Sequence, residues 1–444
     1  MLIKFVVENW MSFRDKTEVS MIATREQQFG ETLTDYKRRQ ARILPMGIFF
    51  GGNASGKTNL FLALAFLKGF ITRSFFAPPD SPIHLAPFVL DNKSKNAPSH
   101  FCITILASDD QVYEYSLMAD RKFVYEERLE RLTGRRNDFS YVRRYDAAGN
   151  KDTLELGKEL KKEEELYQLM MKATRPNRLF LSTAIMQNAV ALSPVYDWFR
   201  KTLQLISPKD RYEAMERYAD RHWNPSERMA EMLSAFDTGI AEIKRTKVER
   251  DQIPMPPPVL DDMERFLREG TSTRIYHSDR ALPYLATRKD GDIIYEKISA
   301  YHRAPQLEGG VSEFEIEHES AGTKRILEIL PAFVELEDPN VSRVYVIDEI
   351  DCRLHALATR RFVKFFKDSR TKTTRSQLLA TTHALSLMDQ ELLRRDEMWL
   401  IERSQSTEAS SVFSVSDYRE ARKDLDICRS YLDGRMGGLP AIKG

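Results

Sequence analysis

The chain has 444 residues, with 67 lysines and arginines against 66 aspartates and glutamates. That length allows two or three compact units around a large sheet, and the near-cancellation of charge excludes a whole-molecule field for nucleic acid or acidic membrane, so any DNA contact must be local. Three scattered cysteines, Cys102, Cys352 and Cys428, do not make a disulfide framework and read as reduced thiols in a cytoplasmic setting. No apolar run approaches the ~20 residues of a membrane span, and the first residues do not read as a signal peptide.

In chain order, residues 1–7 alternate as a strand and lead into Glu8-Asn9-Trp10-Met11-Ser12-Phe13-Arg14. Ile48, Phe49 and Phe50 form an apolar strand that runs into Gly51-Gly52-Asn53-Ala54-Ser55-Gly56-Lys57-Thr58, and Asn59 with Leu60, Leu62, Ala63, Leu64 and Phe66 begins a helix. Strand, loop and helix in that order are what a phosphate-binding loop needs. Backbone N–H groups point into one concavity, Lys57 reaches the β- and γ-phosphates, and the Thr58 hydroxyl is placed on Mg²⁺.

Residues 82–145 read as β-rich, with strands over 101–106, 112–118, 122–132 and 139–145 and a turn at Asp109-Asp110. Arg131, Arg135, Arg136, Arg143 and Arg144 interleave there with Phe139, Tyr141 and Tyr145, which suits either a nucleic-acid grip or, more simply, a solvated hairpin. Residues 154–173 read as a charged helix, and Gln187 follows an apolar run as a metal and water contact or an ordinary polar residue at a helix start. The helical reading continues over 195–250, is broken at Pro254-Met255-Pro256-Pro257-Pro258, and resumes over 261–268.

Ser320-Ala321-Gly322-Thr323-Lys324-Arg325 opens another helix, and its hydroxyl and free N–H groups suit an anion, although alone it is an N-cap. Val344-Tyr345-Val346-Ile347 is a buried strand ending in Asp348 and Glu349. Asp348 would hold Mg²⁺ and Glu349 would orient or deprotonate water; the bland alternative is a strand end with two solvated acids. Asp351 and His355 follow, then a helix with Arg360, Arg361, Lys364, Lys367, Arg370, Lys372 and Arg375 nearby, either a basic docking stripe or a solvated outer face. Leu378-Leu379-Ala380-Thr381-Thr382 delivers His383 at a strand end, and residues 398–402, 412–415 and 418–431 finish as two strands and a helix.

As an ordered set, these motifs resemble the ATP-binding-cassette class in its structural-maintenance and recombination branch. The resemblance implies an α/β ABC-type ATPase head, a P-loop sheet with an antiparallel β side sheet: residues 1–200 one half, 201–310 a mostly helical insertion, 311–444 the other half. It implies that residues 51–59 bind ATP, that Thr58, Asp348 and Gln187 hold Mg²⁺, that Glu349 and His383 are catalytic, and that Ser320, Ala321, Gly322 and Thr323 complete the site of a second subunit. Asp351 and His355 fall at that class's inter-subunit loop. The signature departs from transporter versions, lacking the glycine pair and the glutamine, which disfavours a membrane-transport energiser.

The wording of the motifs, with the ending Tyr431-Leu432-Asp433-Gly434-Arg435-Met436-Gly437-Gly438-Leu439-Pro440, is similar to bacterial stand-alone cassette ATPases described as AAA-type ATP/GTP phosphatases. These resemble the ATPase half of overcoming-lysogenization-defect nucleases and the ATPase subunits of anti-phage systems such as PARIS and Septu. Too few residues follow His383 for a Toprim nuclease domain, so the implied effector is a separate chain. The expectation is a cytoplasmic, homo-oligomeric regulatory ATPase that controls a nuclease and responds to a phage-encoded trigger. The alternative is a DNA-maintenance ATPase that engages DNA directly.

Overall fold

The strands that carry the motifs are continuous apolar runs, and Met46–Phe50, Val344–Ile347 and Gln377–Thr382 are buried at every position, as parallel strands covered on both faces must be. The structure, a computed structural model, describes residues 1–36, 41–133, 137–208, 226–277, 280–418 and 426–438. It divides into two compact units, one of Met1–Ile206, Pro339–Ile350 and Lys367–Gly444, the other of Ser207–Asp338 and Asp351–Phe366.

In the first unit a six-stranded sheet runs in the order Leu203–Ile206, Val344–Ile347, Gln377–Thr382, Met46–Phe50, Met398–Arg403 and Ser410–Ser414. All pairings are parallel except the last. Parallel strands bring their carboxyl ends to one edge of the sheet, where α/β proteins open their ligand crevice. Residues that follow Phe50, Ile347, Thr382 and Ile401 are therefore delivered to the same place.

A seven-stranded antiparallel sheet lies in the same unit, in the order Lys151–Leu156, Asn137–Asp146, Val124–Leu132, Val112–Ala119, Ser99–Leu106, Leu2–Glu8 and Thr17–Ser20. It is the expected side sheet, with the Asp109-Asp110 turn carrying Asp110 at φ 61. The buried Gln377 side chain ties the two sheets, its amide nitrogen donating to Leu2 O at 3.0 Å and Leu44 O at 2.9 Å. Another polar tie is Glu127, wholly buried, which accepts from the Tyr141 hydroxyl at 2.8 Å and from the backbone N–H groups of Phe180 and Leu181 at 2.6 and 3.0 Å. It thereby satisfies the start of the helix Phe180–Met186. Burial pushes the Glu127 carboxyl above its ordinary range, against the pull of Arg143 and the bonds it accepts.

The helix Lys57–Arg73 buries Leu60, Phe61, Leu64, Leu67 and Ile71, the one-face spacing of an amphipathic core helix. Residues Lys57–Phe76 are also long and apolar enough, by length and composition alone, to cross a membrane. That corrects the sequence reading, which counted no such run. Near the C-terminus, Gly438 N donates to Glu402 at 3.1 Å and Tyr431 donates to Gly438 O at 2.8 Å, folding the glycine-rich ending onto the sheet.

The second unit corrects the reading of residues 201–310 as mostly helical. Leu203–Ile206 is a strand of the first unit's parallel sheet, and beyond it Ile240–Val248, Ser272–His277, Arg280–Lys289, Asp292–Arg303 and Val311–Glu315 form a five-stranded antiparallel sheet. The twelve-residue strand Asp292–Arg303 is its spine, pairing with Ile240–Val248 along one side and with Arg280–Lys289 and then Val311–Glu315 along the other. Charges at Lys244, Arg245 and Lys247 gave the first of these strands a helix-like composition; long-range pairing overrides such local preference. Asp290-Gly291 joins two of the strands with positive φ at both residues, 55 and 88 degrees, the two-residue hairpin turn that Asp-Gly favours. The helix Pro257–Phe266 covers one face through Leu260, with Ile275, Ala286 and Tyr295 beneath.

Candidate nucleotide site

The phosphate loop leaves its strand at Gly51, where a Cβ would lie 2.4 Å from the Ile401 carbonyl, so only glycine fits beside the neighbouring strand. Gly56 is the N-cap of the following helix at φ 112, with no side chain capping the helix start. A helix start without a side-chain cap suits an anionic ligand. Lys57 folds back to donate to Gly51 O at 2.7 Å and Gly52 O at 2.9 Å, and the Ser55 hydroxyl is buried without a hydrogen-bond partner.

Two flanking segments hold the loop. At the N-terminal corner, Asn9 and Met11 take φ values of 53 and 49 degrees and Trp10 pairs with Phe13. This turn aims Trp10 Nε1 at Asn59 O, 2.9 Å away, while Asn59 Nδ2 donates to Ser12 Oγ at 2.7 Å. From the other side Ser410 Oγ donates to Ser55 O at 2.6 Å, and Ser410 N donates to Ser12 O at 2.7 Å. A Cβ on Gly56 would meet both hydroxyls, at 2.6 and 2.8 Å. The Asn-Trp-Met-Ser-Phe segment thus clamps the residue after Gly-Lys-Thr.

A cavity of about 570 Å³ opens over the loop, lined by Asn53, Ala54, Ser55, Gly56, Lys57, Thr58 and Asn59 together with Glu349 and His383. Ser12, Val89, Leu90, Arg403 and Glu408 line it as well. Asp348 lies beneath, 2% exposed, its Oδ1 accepting from Thr381 Oγ1 at 2.6 Å; the same hydroxyl accepts from Glu349 N at 2.7 Å. Thr381 therefore fixes both acids at once, and Glu349 sits at φ 49, a backbone conformation that non-glycine residues hold only when their surroundings impose it. From sequence Thr381 reads only as part of the strand that delivers His383, and Ser410, Arg403 and Glu408 are not singled out. Thr381 stands in the Thr-Thr-His run, whereas nothing local marks Ser410.

Gln187 is placed elsewhere. It is the C-cap of the helix Phe180–Met186, not a residue at a helix start, and it is not among the residues lining the cavity. The chain bends there through an αL residue, Asn188 at φ 65, after the helix has ended. Among the described residues no cluster of three or more His, Cys, Asp and Glu is present. Thr58 lines the cavity, whereas Asp348, like Gln187, is not among its lining residues and accepts from Thr381.

In the second unit, Ser320 is the N-cap of the helix Ala321–Glu337 and its Oγ accepts from Thr323 N at 3.0 Å. Gly322 packs against backbone, since a Cβ there would lie 3.0 Å from the Arg353 carbonyl. His355 Nδ1 accepts from Leu357 N at 3.2 Å, and Leu354 N donates to Asp351 O at 3.0 Å, so this loop satisfies its own turn. The Arg325 side chain is 2% exposed, with Nε and Nη2 unpartnered.

Part of each basic pattern is engaged within the protein. Arg143 is fully buried on Asp152, Arg144 pairs with Glu126 and Glu155, Arg131 pairs with Glu159, and Tyr141 is buried; Arg135 and Arg136 lie outside the described residues, as does the Phe139 side chain. Of the other set, Lys367 donates to Leu392 O and Arg370 to Ser376 O inside the protein, Arg375 pairs with Asp110, and Arg361 lies over the Phe365 ring at 4.4 Å. Buried carbonyls thus draw off Lys367 and Arg370, while Arg361 and Lys364 stay exposed.

Among solved structures, the SMC head domain from Thermotoga maritima is similar at 12% identity with a TM-score of 0.39, covering 93% of this chain and 98% of that one. The SmcHead bound to the C-winged helix domain of ScpA scores 0.39 at 13% identity, over 93% and 97%. The recombination mediator protein RecF scores 0.35 at 12% identity, over 93% and 98%. No curated protein matches the chain. The model of the family described as "AAA domain, putative AbiEii toxin, Type IV TA system" matches residues 48–389, from the strand that feeds the phosphate loop to just past His383, and the chain belongs to that family.

Proposed function

We propose that this chain is an ATP-hydrolysing regulatory subunit, a sensor or scaffold of a bacterial anti-phage system, that controls a separate nuclease effector of Toprim type in the cytoplasm. The observation that carries the ATPase part is the cavity that joins residues 53–59 to Glu349 and His383. Lys57 and the backbone N–H groups of the uncapped helix start would hold the phosphates, and Thr58 with Asp348 would hold Mg²⁺, which offsets charge on the β- and γ-phosphates. Glu349, steadied by Thr381, would orient or deprotonate the attacking water, and His383 would contact the γ-phosphate.

In this reading residues 320–323 serve a second copy, so that two chains close over two nucleotides. The family's printed description, with its toxin and toxin–antitoxin terms, supports a defence role. The partner and the phage trigger rest on the resemblance drawn from the motifs. The alternative of a DNA-maintenance ATPase loses part of its sequence support, since Lys367 and Arg370 donate to internal carbonyls.

ATP turnover by the purified chain, with and without Mg²⁺ and duplex DNA, tests the proposal. Wild type should hydrolyse ATP, depend on Mg²⁺ and be indifferent to DNA. Glu349→Gln should bind ATP while hydrolysing on the order of a hundredfold more slowly. Turnover by Glu349→Gln at the wild-type rate would remove Glu349 from its role, and strong stimulation by DNA would favour the maintenance reading.

A further inference from the structure

We infer that His302 and Glu319 form a positioning pair for the helix start at residues 320–323. In this role His302 engages a carboxylate that would otherwise oppose the terminal phosphate of a nucleotide held by a second copy. The inference rests on the composite-site reading above.

Glu319 immediately precedes Ser320 and is drawn in by its neighbours: its N–H donates to Ile316 O at 3.2 Å, and only 7% of its side chain is exposed. One carboxylate oxygen lies 2.5 Å from His302 Nε2. A carboxylate oxygen accepts from an imidazole N–H, so the Nε2–H tautomer pairs with it. A bare carboxylate at this position would repel the anion that a helix start attracts.

His302 is built to hold still. It lies on the spine strand Asp292–Arg303, paired with Ile240 on one side and with Ser312 on the other. Its ring stands 4.6 Å from that of Phe314, and Gly239, at φ 74, makes room for it: a Cβ there would come 3.1 Å from Nδ1. The β-rich part of the second unit thus reaches the signature through one imidazole, while Gly322 is braced against the Arg353 carbonyl. This gives residues 240–315 a role in the ATPase cycle that composition does not suggest.

The test measures ATP turnover and ATP affinity for wild type, His302→Ala, His302→Gln and the double variant His302→Ala/Glu319→Gln. His302→Ala should lower kcat on the order of tenfold, as for an uncompensated charge by a helix terminus, with the dissociation constant for ATP at the Lys57 site unchanged. His302→Gln keeps an N–H donor and should retain most activity. Removing the carboxylate in the double variant should restore most of what His302→Ala loses, which a purely structural role would not do. A wild-type kcat for His302→Ala, or a double variant as slow as the single, overturns the pair. A mixture of Lys57→Ala and Ser320→Arg chains is the separate control: it should regain partial activity, because a mixed dimer contains one intact site. Failure of that mixture, with mixed assembly confirmed, overturns the composite site itself and the pair's role with it.

Discussion

Two helix starts in this molecule contain a glycine, and both serve a nucleotide in the proposed function, yet they are finished differently. The helix Lys57–Arg73 begins at a left-handed Gly56 with no side-chain cap, so its first N–H groups have no acceptor from a capping residue. The helix Ala321–Glu337 begins at Ser320 in an extended conformation, and the Ser320 hydroxyl accepts from Thr323 N. An uncapped start leaves several donors for an anion; a capped start has already satisfied one of them. In the proposed function, the difference fits the first to primary phosphate binding and the second to a lighter contact through a hydroxyl.

The largest effect that can break this comparison is Lys57→Ala. Loss of its charge from the uncapped start should weaken ATP binding by on the order of a hundredfold or more, as read by titration calorimetry; equal affinity would mean that the loop is not the primary site. Next comes Thr381→Val, which removes the hydroxyl between Asp348 and the Glu349 backbone. It should slow hydrolysis on the order of tenfold, with ATP affinity changed much less, and a wild-type rate would show that the acids hold their places without it. Ser320→Ala should cost the capped helix about 1 kcal/mol of stability, measurable by denaturant titration, and should leave ATP binding by the isolated chain intact. Were Ser320→Ala to abolish binding, the division between primary and lighter contact would be wrong.

The smallest effect concerns pH. Glu127 caps the helix Phe180–Met186 from a buried position, and burial raises its folded carboxyl above the ordinary value. A raised group holds its proton more tightly in the folded chain, so its contribution to stability is complete below the ordinary carboxylate range and is lost as pH rises through the folded value. Glu127→Gln has no such proton. The melting temperature of wild type should therefore fall more steeply than that of Glu127→Gln across this window, and parallel curves would remove Glu127 from the pH response.

Much of the site was legible because its parts are short and local. Gly51, Gly56, Lys57 and Thr58 act through backbone conformation and adjacent side chains, so eight contiguous residues between a strand and a helix define the loop. The buried strands ending at Ile347 and Thr382 announced themselves as apolar runs, and the side-sheet strands around residues 101–106 and 112–118 by their alternation and turn. Asp290-Gly291 carries a comparable hairpin signal, which the reading of residues 201–310 as mostly helical passed over.

Only the tertiary structure decided the rest. Strand order determined that Glu349, His383, Arg403 and residues 53–59 line one cavity, because parallel pairing aligns the ends of strands that lie hundreds of residues apart. The clamps at Ser12 and Ser410, the Thr381 bridge, the displacement of Gln187 from the cavity and the consumption of Lys367 and Arg370 by internal carbonyls follow from the same cause. Residue type records what a side chain can donate or accept; which partner it meets depends on chain segments brought together by folding, since every buried polar group must find one.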